Sequence, residues 1–155
     1  MRLFQTPSRL YRLLAFAEMV TWTLLLAGMF LKYVVGSTEA LVRIGGSAHG
    51  FVFLSYVVAT VLVAVDQRWS LGRLALGLGS AFVPYLTVPF ERWAHRKGLL
   101  GDVWRLREEP GRTAPEKLVA WALRHPVLAV VIALVAVAVV FTVLLQLGPP
   151  TQWFS

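Results

Sequence analysis

Four apolar runs separated by short polar segments set the pattern of this chain. The first extends from about Leu10 to Val35. The second, "HGFVFLSYVVATVLVAV", covers His49 to Val65, and the third, "LALGLGSAFVPYLTVPF", covers Leu74 to Phe90. The fourth, "PVLAVVIALVAVAVVFTVLLQL", covers Pro126 to Leu147 and holds no charge. These lengths approach the ~20 residues that a helix needs to cross hydrocarbon. The third run carries Gly77, Gly79, Pro84 and Pro89, which weaken a straight helix. The pattern predicts an all-α polytopic membrane protein with about four membrane helices, the third short and Gly/Pro-interrupted, with a re-entrant path as its alternative.

The connections refine this division. "GSTEALVRIGGSA" places Glu39 and Arg43 at i,i+4, where they can pair on one turn. "DQRWSLGR" puts Trp69 where an interfacial aromatic belongs. Residues 91–125 hold eight Lys or Arg. Within them, Thr113 and Glu116 stand at capping-box spacing, which predicts an interfacial helix over 114–124. The chain therefore divides into a membrane domain at 1–97, with segments at about 10–35, 49–65 and 74–90, and a basic connection at 98–125. A transmembrane helix with an uncharged tail follows at 126–155, its Trp153 marking the opposite interface. The basic start of the chain is followed by an apolar run too long for a signal peptide, so it is expected to stay as the first helix. No internal repeat of useful length appears, which weakens an inverted-repeat transporter.

Composition agrees. Hydrophobic residues make up 57% and charged residues 15%, against about 45–50% and 25% in soluble domains. With no cysteine, disulfides and thiol chemistry are excluded. The net charge of +7 reads as basic loops facing cytoplasm and anionic lipid headgroups rather than nucleic acid. If all four segments cross with the N-terminus inside, the basic 91–125 connection falls outside, against the positive-inside rule. A flipped chain or a re-entrant third segment removes the conflict. In the re-entrant arrangement thirteen of fifteen Lys and Arg are cytoplasmic. A bacterial plasma membrane, with the N-terminus and the 91–125 connection inside, is the expected location.

Glu18 and Lys32 are the charges inside the first run. Fourteen steps of about 100° leave them on roughly one face, about 21 Å apart along the axis, too far to pair. Each needs another partner, because an unpaired charge in the bilayer is costly. Lys32 can snorkel beside Tyr33. Glu18 is either a functional carboxylate or the partner of an arginine such as Arg12, Arg73 or Arg92. If the second helix opens at His49, antiparallel packing brings His49 to the level of Lys32 and Asp66 nearer Glu18. Gly50 then admits a neighbouring backbone. The expected polar seam sets Glu18, Thr21 and Lys32 opposite His49, Ser55, Tyr56 and Asp66. His49 has no second ligand at recognised spacing, so a hydrogen-bonded interfacial histidine is favoured over a metal or haem ligand. Gly77, Gly79 and Ser80 form a small face for packing, with Ala75 and Gly79 at small-xxx-small spacing, or with Pro84 and Pro89 mark a kink. No catalytic triad, metal motif or nucleotide loop is present.

"RLLAFAEMVTWTLLLAGMFLKYVVG", "GGSAHGFVFLSYVV" and "RWSLGRLALGLGSAFVPYLTVPFERW" resemble the YdzA-like family of small bacterial integral membrane proteins, a domain of unknown function. Glu18, Lys32, Tyr33, His49 and Gly50 match its Ala-x-x-Glu, Leu-Lys-Tyr and His-Gly motifs over roughly residues 9–97. Met19, Phe30 and the Pro84–Thr87 stretch depart from it. The resemblance brings no activity. The leading reading is a non-enzymatic oligomeric or accessory membrane subunit, without cofactor, acting as a homo-oligomer or in a larger complex. The alternatives are a small transporter or channel lined by Glu18, Lys32 and His49, and a haem protein using His49.

Overall fold

The computed structural model describes residues 6–36 and 39–147. The uncharged tail with Trp153 lies outside the described residues. Among them are seven helices: α1 (Pro7–Tyr33), α2 (Ala40–Asp66), α3 (Leu71–Ala81), α4 (Thr87–Arg96), α5 (Arg105–Glu108), α6 (Ala114–Arg124) and α7 (Pro126–Leu147). α1 starts where its sequence permits. Thr6 accepts from Arg9 N through its side chain, and Pro7 occupies the first helical position.

α1 and α2 are both long and apolar enough to cross a membrane, and they form an antiparallel pair with backbones in contact. A Cβ added at Gly28 would sit 2.8 Å from Val42 N, and one at Gly45 would sit 3.1 Å from the Leu24 carbonyl. Helices in lipid associate by such close packing, since hydrocarbon offers them no hydrophobic drive. The resulting register is constant along the pair: Lys32 faces Glu39, Thr21 faces His49, and Tyr11 faces Thr60.

Here the structure departs from the sequence reading. α2 begins at Ala40, not His49, because "ALVRIGGSA" is helical and Gly45 within it is the packing position. His49 therefore lies about 14 Å into the helix at 1.5 Å per residue. Gly50, expected to admit a neighbouring backbone, has nothing within 4 Å of an added Cβ.

The third apolar run is a helical hairpin. α3 and α4 are 11 and 10 residues long, broken at Phe82–Leu86. Its two ends meet: Trp69 Nε1, just before α3, donates to the Leu99 carbonyl just after α4 at 2.8 Å. Its tip reaches the level of the middle of α2, with the Phe82 ring centre 5.2 Å from that of Phe53, the midpoint of α2. Tyr85 at the tip has φ +68, a costly conformation for a bulky residue. Pro84 lies in the break. Pro89 lies in the first turn of α4, where no backbone donor is needed. Gly77 admits the Thr60 and Phe90 side chains, while Gly79 faces open space.

The polar end of the bundle is closed by the 98–125 connection. Asp66, fully buried at the end of α2, accepts from the backbone N–H of Leu106 at 2.8 Å and of Arg105 at 3.2 Å. Arg105 Nε returns a bond to the Asp66 carbonyl at 2.7 Å, and its Nη2 binds Glu116 at 2.8 Å. Thr113 and Glu116 close a capping box on α6. The Arg112 backbone N–H, the Arg105 guanidinium and the Thr113 N–H hold the Glu116 carboxyl down at about 2. α6 and the first part of α7 meet at 112°, so α6 lies across the end of the bundle and α7 leaves along it.

Two outcomes are expected. In this cysteine-free chain, Leu71→Cys and Lys97→Cys label from the same side of the membrane and Arg43→Cys from the other. Opposite labelling of Leu71→Cys and Lys97→Cys would remove the re-entrant path. Gly28→Ala forces overpacking and lowers unfolding stability in detergent by about 1–3 kcal/mol. Gly50→Ala, with open space around it, leaves stability unchanged or slightly raised.

Candidate functional site

The register of α1 and α2 carries His49 to Glu18. His49 Nδ1 lies 3.0 Å from Glu18 Oε2 and 3.3 Å from Thr21 Oγ1. Thr21 already donates its hydroxyl proton to the Glu18 carbonyl at 3.1 Å, so the Thr21–His49 contact requires a proton on Nδ1. Glu18 has no exposed surface, and the His49 side chain is 12% exposed. The imidazole packs on Trp22, with ring centres 4.3 Å apart, and near Phe53 at 6.1 Å. Neither oxygen of Glu18 has an aligned hydrogen-bond donor among the described residues, and Trp22 Nε1 has no acceptor. The carboxylate–imidazole contact is thus close but out of line. Chemically it can hold one proton on either member.

Two turns toward the N-terminal end of α1 lies a second buried polar group. Tyr11 Oη is 2.7 Å from Tyr56 Oη and 3.1 Å from Thr60 Oγ1, and Tyr56 Oη is 3.0 Å from Ser80 Oγ. Thr60 donates to the Tyr56 carbonyl and Ser80 to the Gly77 carbonyl. Two phenolic protons therefore serve three contacts, and one contact lacks a proton at any instant. Tyr11 also packs against Trp69 and Phe90. Thr87 donates to the Ala15 carbonyl at 3.1 Å, and Arg12 pairs with Glu91 at 3.1 Å. These bonds fasten the α3–α4 hairpin to both long helices.

The expected seam is therefore divided. Glu18, Thr21 and His49 come together, but among the described residues no arginine pairs with Glu18; Arg12 is engaged by Glu91 instead. Lys32 lies at the other end, 3.0 Å from Glu39 and 5.2 Å from the centre of the Tyr33 ring. It takes the place expected for Arg43 as the side-chain partner of Glu39, and holds that carboxyl below the usual carboxylate range. Asp66 caps α5, far from Glu18. Ser55 turns its hydroxyl to the Phe51 carbonyl. Sequence reasoning missed Tyr11, Trp22 and Thr60, and read Ser80 as part of a small packing face rather than as a partner of Tyr56. Trp22 stands at i+4 from Glu18, and Tyr56 and Thr60 are likewise i,i+4, spacings that put each pair on one face. Among the described residues, no group of three or more His, Asp or Glu gathers as a metal site.

Removing one partner of a buried polar contact costs about 1–3 kcal/mol, more where the group left behind is charged, whereas apolar replacement of both can be close to neutral. His49→Leu is therefore expected to destabilise the detergent-solubilised chain strongly, and Glu18→Leu/His49→Leu to recover most of that loss. A double-mutant cycle whose single effects add within about 0.5 kcal/mol would show the two groups uncoupled.

Comparison with known proteins agrees with this architecture. Residues 8–96, which contain α1 to α4, match the family model for a domain of unknown function, DUF3817. The Bacillus subtilis membrane protein YdzA, itself uncharacterised, is 34% identical over 91 residues, 58% of this chain and 94% of YdzA. The Streptomyces coelicolor membrane protein SCO5905 is 47% identical over 93 residues, 59% of this chain. That match spans only 11% of SCO5905, so this chain corresponds to a small part of that relative. No solved structure matches. Its sequence motifs, its apolar helices and these matches make the chain a membrane protein of the DUF3817 family.

Proposed function

We propose that this chain is a non-enzymatic membrane subunit that acts within a larger membrane assembly. The observation that carries the reading is the pair of length relations among its relatives. Matched segments of 91 and 93 residues make up 94% of YdzA and 11% of the longer SCO5905. A unit found both alone and inside a longer membrane protein is expected to work beside other membrane segments. The geometry supports a scaffold. Within α1–α4, Tyr11, Thr21, Tyr56, Ser80, Thr87 and Glu91 join one helix to another, and Glu18 has no exposed surface from which to line a path. Lys32 is engaged by Glu39 at the opposite end, which argues against a pathway lined by Glu18, Lys32 and His49 together.

Orientation follows from charge. With the α3–α4 hairpin re-entrant, the N-terminus and the 91–125 connection share one side, and thirteen of fifteen Lys and Arg lie there. That side is the cytoplasm of a bacterial plasma membrane. The reading is tested by mild-detergent extraction from native membranes after crosslinking, followed by sizing and identification of what remains bound. The expected result is a stoichiometric complex with another membrane protein or with further copies of this chain. A lone monomer in crosslinked and uncrosslinked samples would overturn it.

A further inference from the structure

Arg12 of α1 and Arg92, His95 and Arg96 of α4 surround a recess of about 350 Å³, with the buried Glu91 in its wall. The Glu91 side chain is only 3% exposed, and it fixes Arg12 by accepting from Nε at 3.1 Å. That bond uses one of the five guanidinium N–H groups and leaves the four on the Nη atoms for another partner. Arg92, His95 and Arg96 stand at i, i+3 and i+4, so they share one face of α4. All three are exposed, and among the described residues no carboxylate pairs with their side chains.

The recess thus gathers three guanidiniums against one carboxylate, and like charges on one helix face repel unless an anion joins them. The dipole of α4 favours cations in its last turn, which accounts for His95 and Arg96. It does not account for Arg92 in the middle of that helix, or for Arg12 on another. An apolar surface continues from the charged end. One and two turns beyond Arg12, α1 presents Phe16 and Val20, 39% and 53% exposed. One turn before Arg92, α4 presents the exposed Pro89. The Arg12–Glu91 and Ala15–Thr87 contacts set the two helices antiparallel, so both apolar flanks lead away from the recess in the same direction. Trp69, packed on Tyr11, and Trp93, next to Arg92, mark the level of the recess as that of an interfacial aromatic belt.

We propose that this recess binds the phosphate of an anionic phospholipid, with Arg12, Arg92 and Arg96 around the phosphate and the acyl chains over Phe16, Val20 and Pro89. Guanidinium N–H groups match phosphate oxygens in charge and geometry. The excess positive charge repels the ammonium of a zwitterionic headgroup, so the recess selects net charge and not phosphate alone. A free phosphate ion would have no use for the apolar flanks. The inference goes beyond the subunit reading and stands independently of it, since it needs only the chain and lipid.

Native mass spectrometry of the full chain in detergent tests it, with separate titrations of phosphatidylglycerol, phosphatidylcholine of the same acyl chains, and inorganic phosphate. One phosphatidylglycerol per chain is expected to be retained, roughly tenfold better than phosphatidylcholine, since each basic residue near an anionic headgroup contributes on the order of fivefold. Arg92→Gln and Arg96→Gln should each lower that preference about fivefold, with helix content by circular dichroism unchanged. Lys117→Gln, at an exposed position of α6 outside the recess, should leave it unchanged. If one arginine variant loses helix content, the other and the natural chain decide. Equal retention of the two phospholipids by the natural chain would overturn the proposal. A preference that survives in Arg92→Gln/Arg96→Gln, or that falls as far in Lys117→Gln as in Arg92→Gln, would overturn it too. Inorganic phosphate displacing phosphatidylglycerol at equal concentration would give the recess to a free anion and remove the lipid.

Discussion

The contact between the backbones of α1 and α2 at Gly28 and Gly45 is the constraint from which the other arrangements follow. In lipid, two apolar helices have little reason to prefer one register over another unless their surfaces interlock. The two glycines provide the interlock, since a side chain at either would meet the opposite backbone. Once that register is set, His49 has no choice but to face Glu18 and Thr21, Tyr11 to face Tyr56 and Thr60, and Lys32 to face Glu39. A slip of one turn would leave Glu18 buried against apolar side chains, which the cost of a lone charge in hydrocarbon opposes. Packing and electrostatics thus favour the same pairing.

The same economy explains how the broken third segment is held against the long helices. An interrupted helix leaves backbone groups without partners, which lipid tolerates only where protein covers them. The α3–α4 hairpin lies against both long helices through Ser80, Thr87 and Glu91, and its ends are joined by Trp69 and the Leu99 carbonyl. Ser80 spends its proton on the Gly77 carbonyl, one turn back in α3. At the polar end, Asp66 ties the last turn of α2 to α5, and Arg105 and Glu116 carry the tie to α6. The matched domain, residues 8–96, is thereby joined to the segment that follows it.

α7 stands apart from that economy. Where α1 to α4 meet through glycine, hydroxyl and ion-pair contacts, α7 is an uncharged helix held chiefly through α6, with alanines turned toward the bundle and a groove left between. The matched family domain and the helix that follows it therefore differ in kind: one is internally fastened, the other leaves much of its apolar surface exposed.

The sequence by itself determined that the chain is helical and lives in a membrane, because hydropathy and length answer to the bilayer and not to any other part of the chain. It also determined where α6 begins, since the Thr113–Glu116 capping box is a local bond. The short, Gly/Pro-interrupted third run was legible for the same reason. Which residues meet was decided by tertiary structure. "ALVRIGGSA" looks like a loop until its glycine is seen against α1, and that misreading displaced His49 from Glu18 by about nine residues. The partner of Glu39, the role of Asp66 and the Tyr11–Tyr56–Thr60–Ser80 network all join residues distant in the chain, and periodicity says nothing of the register between two helices. That register depends on how closely two backbones approach, a property of the pair and not of either strand of sequence.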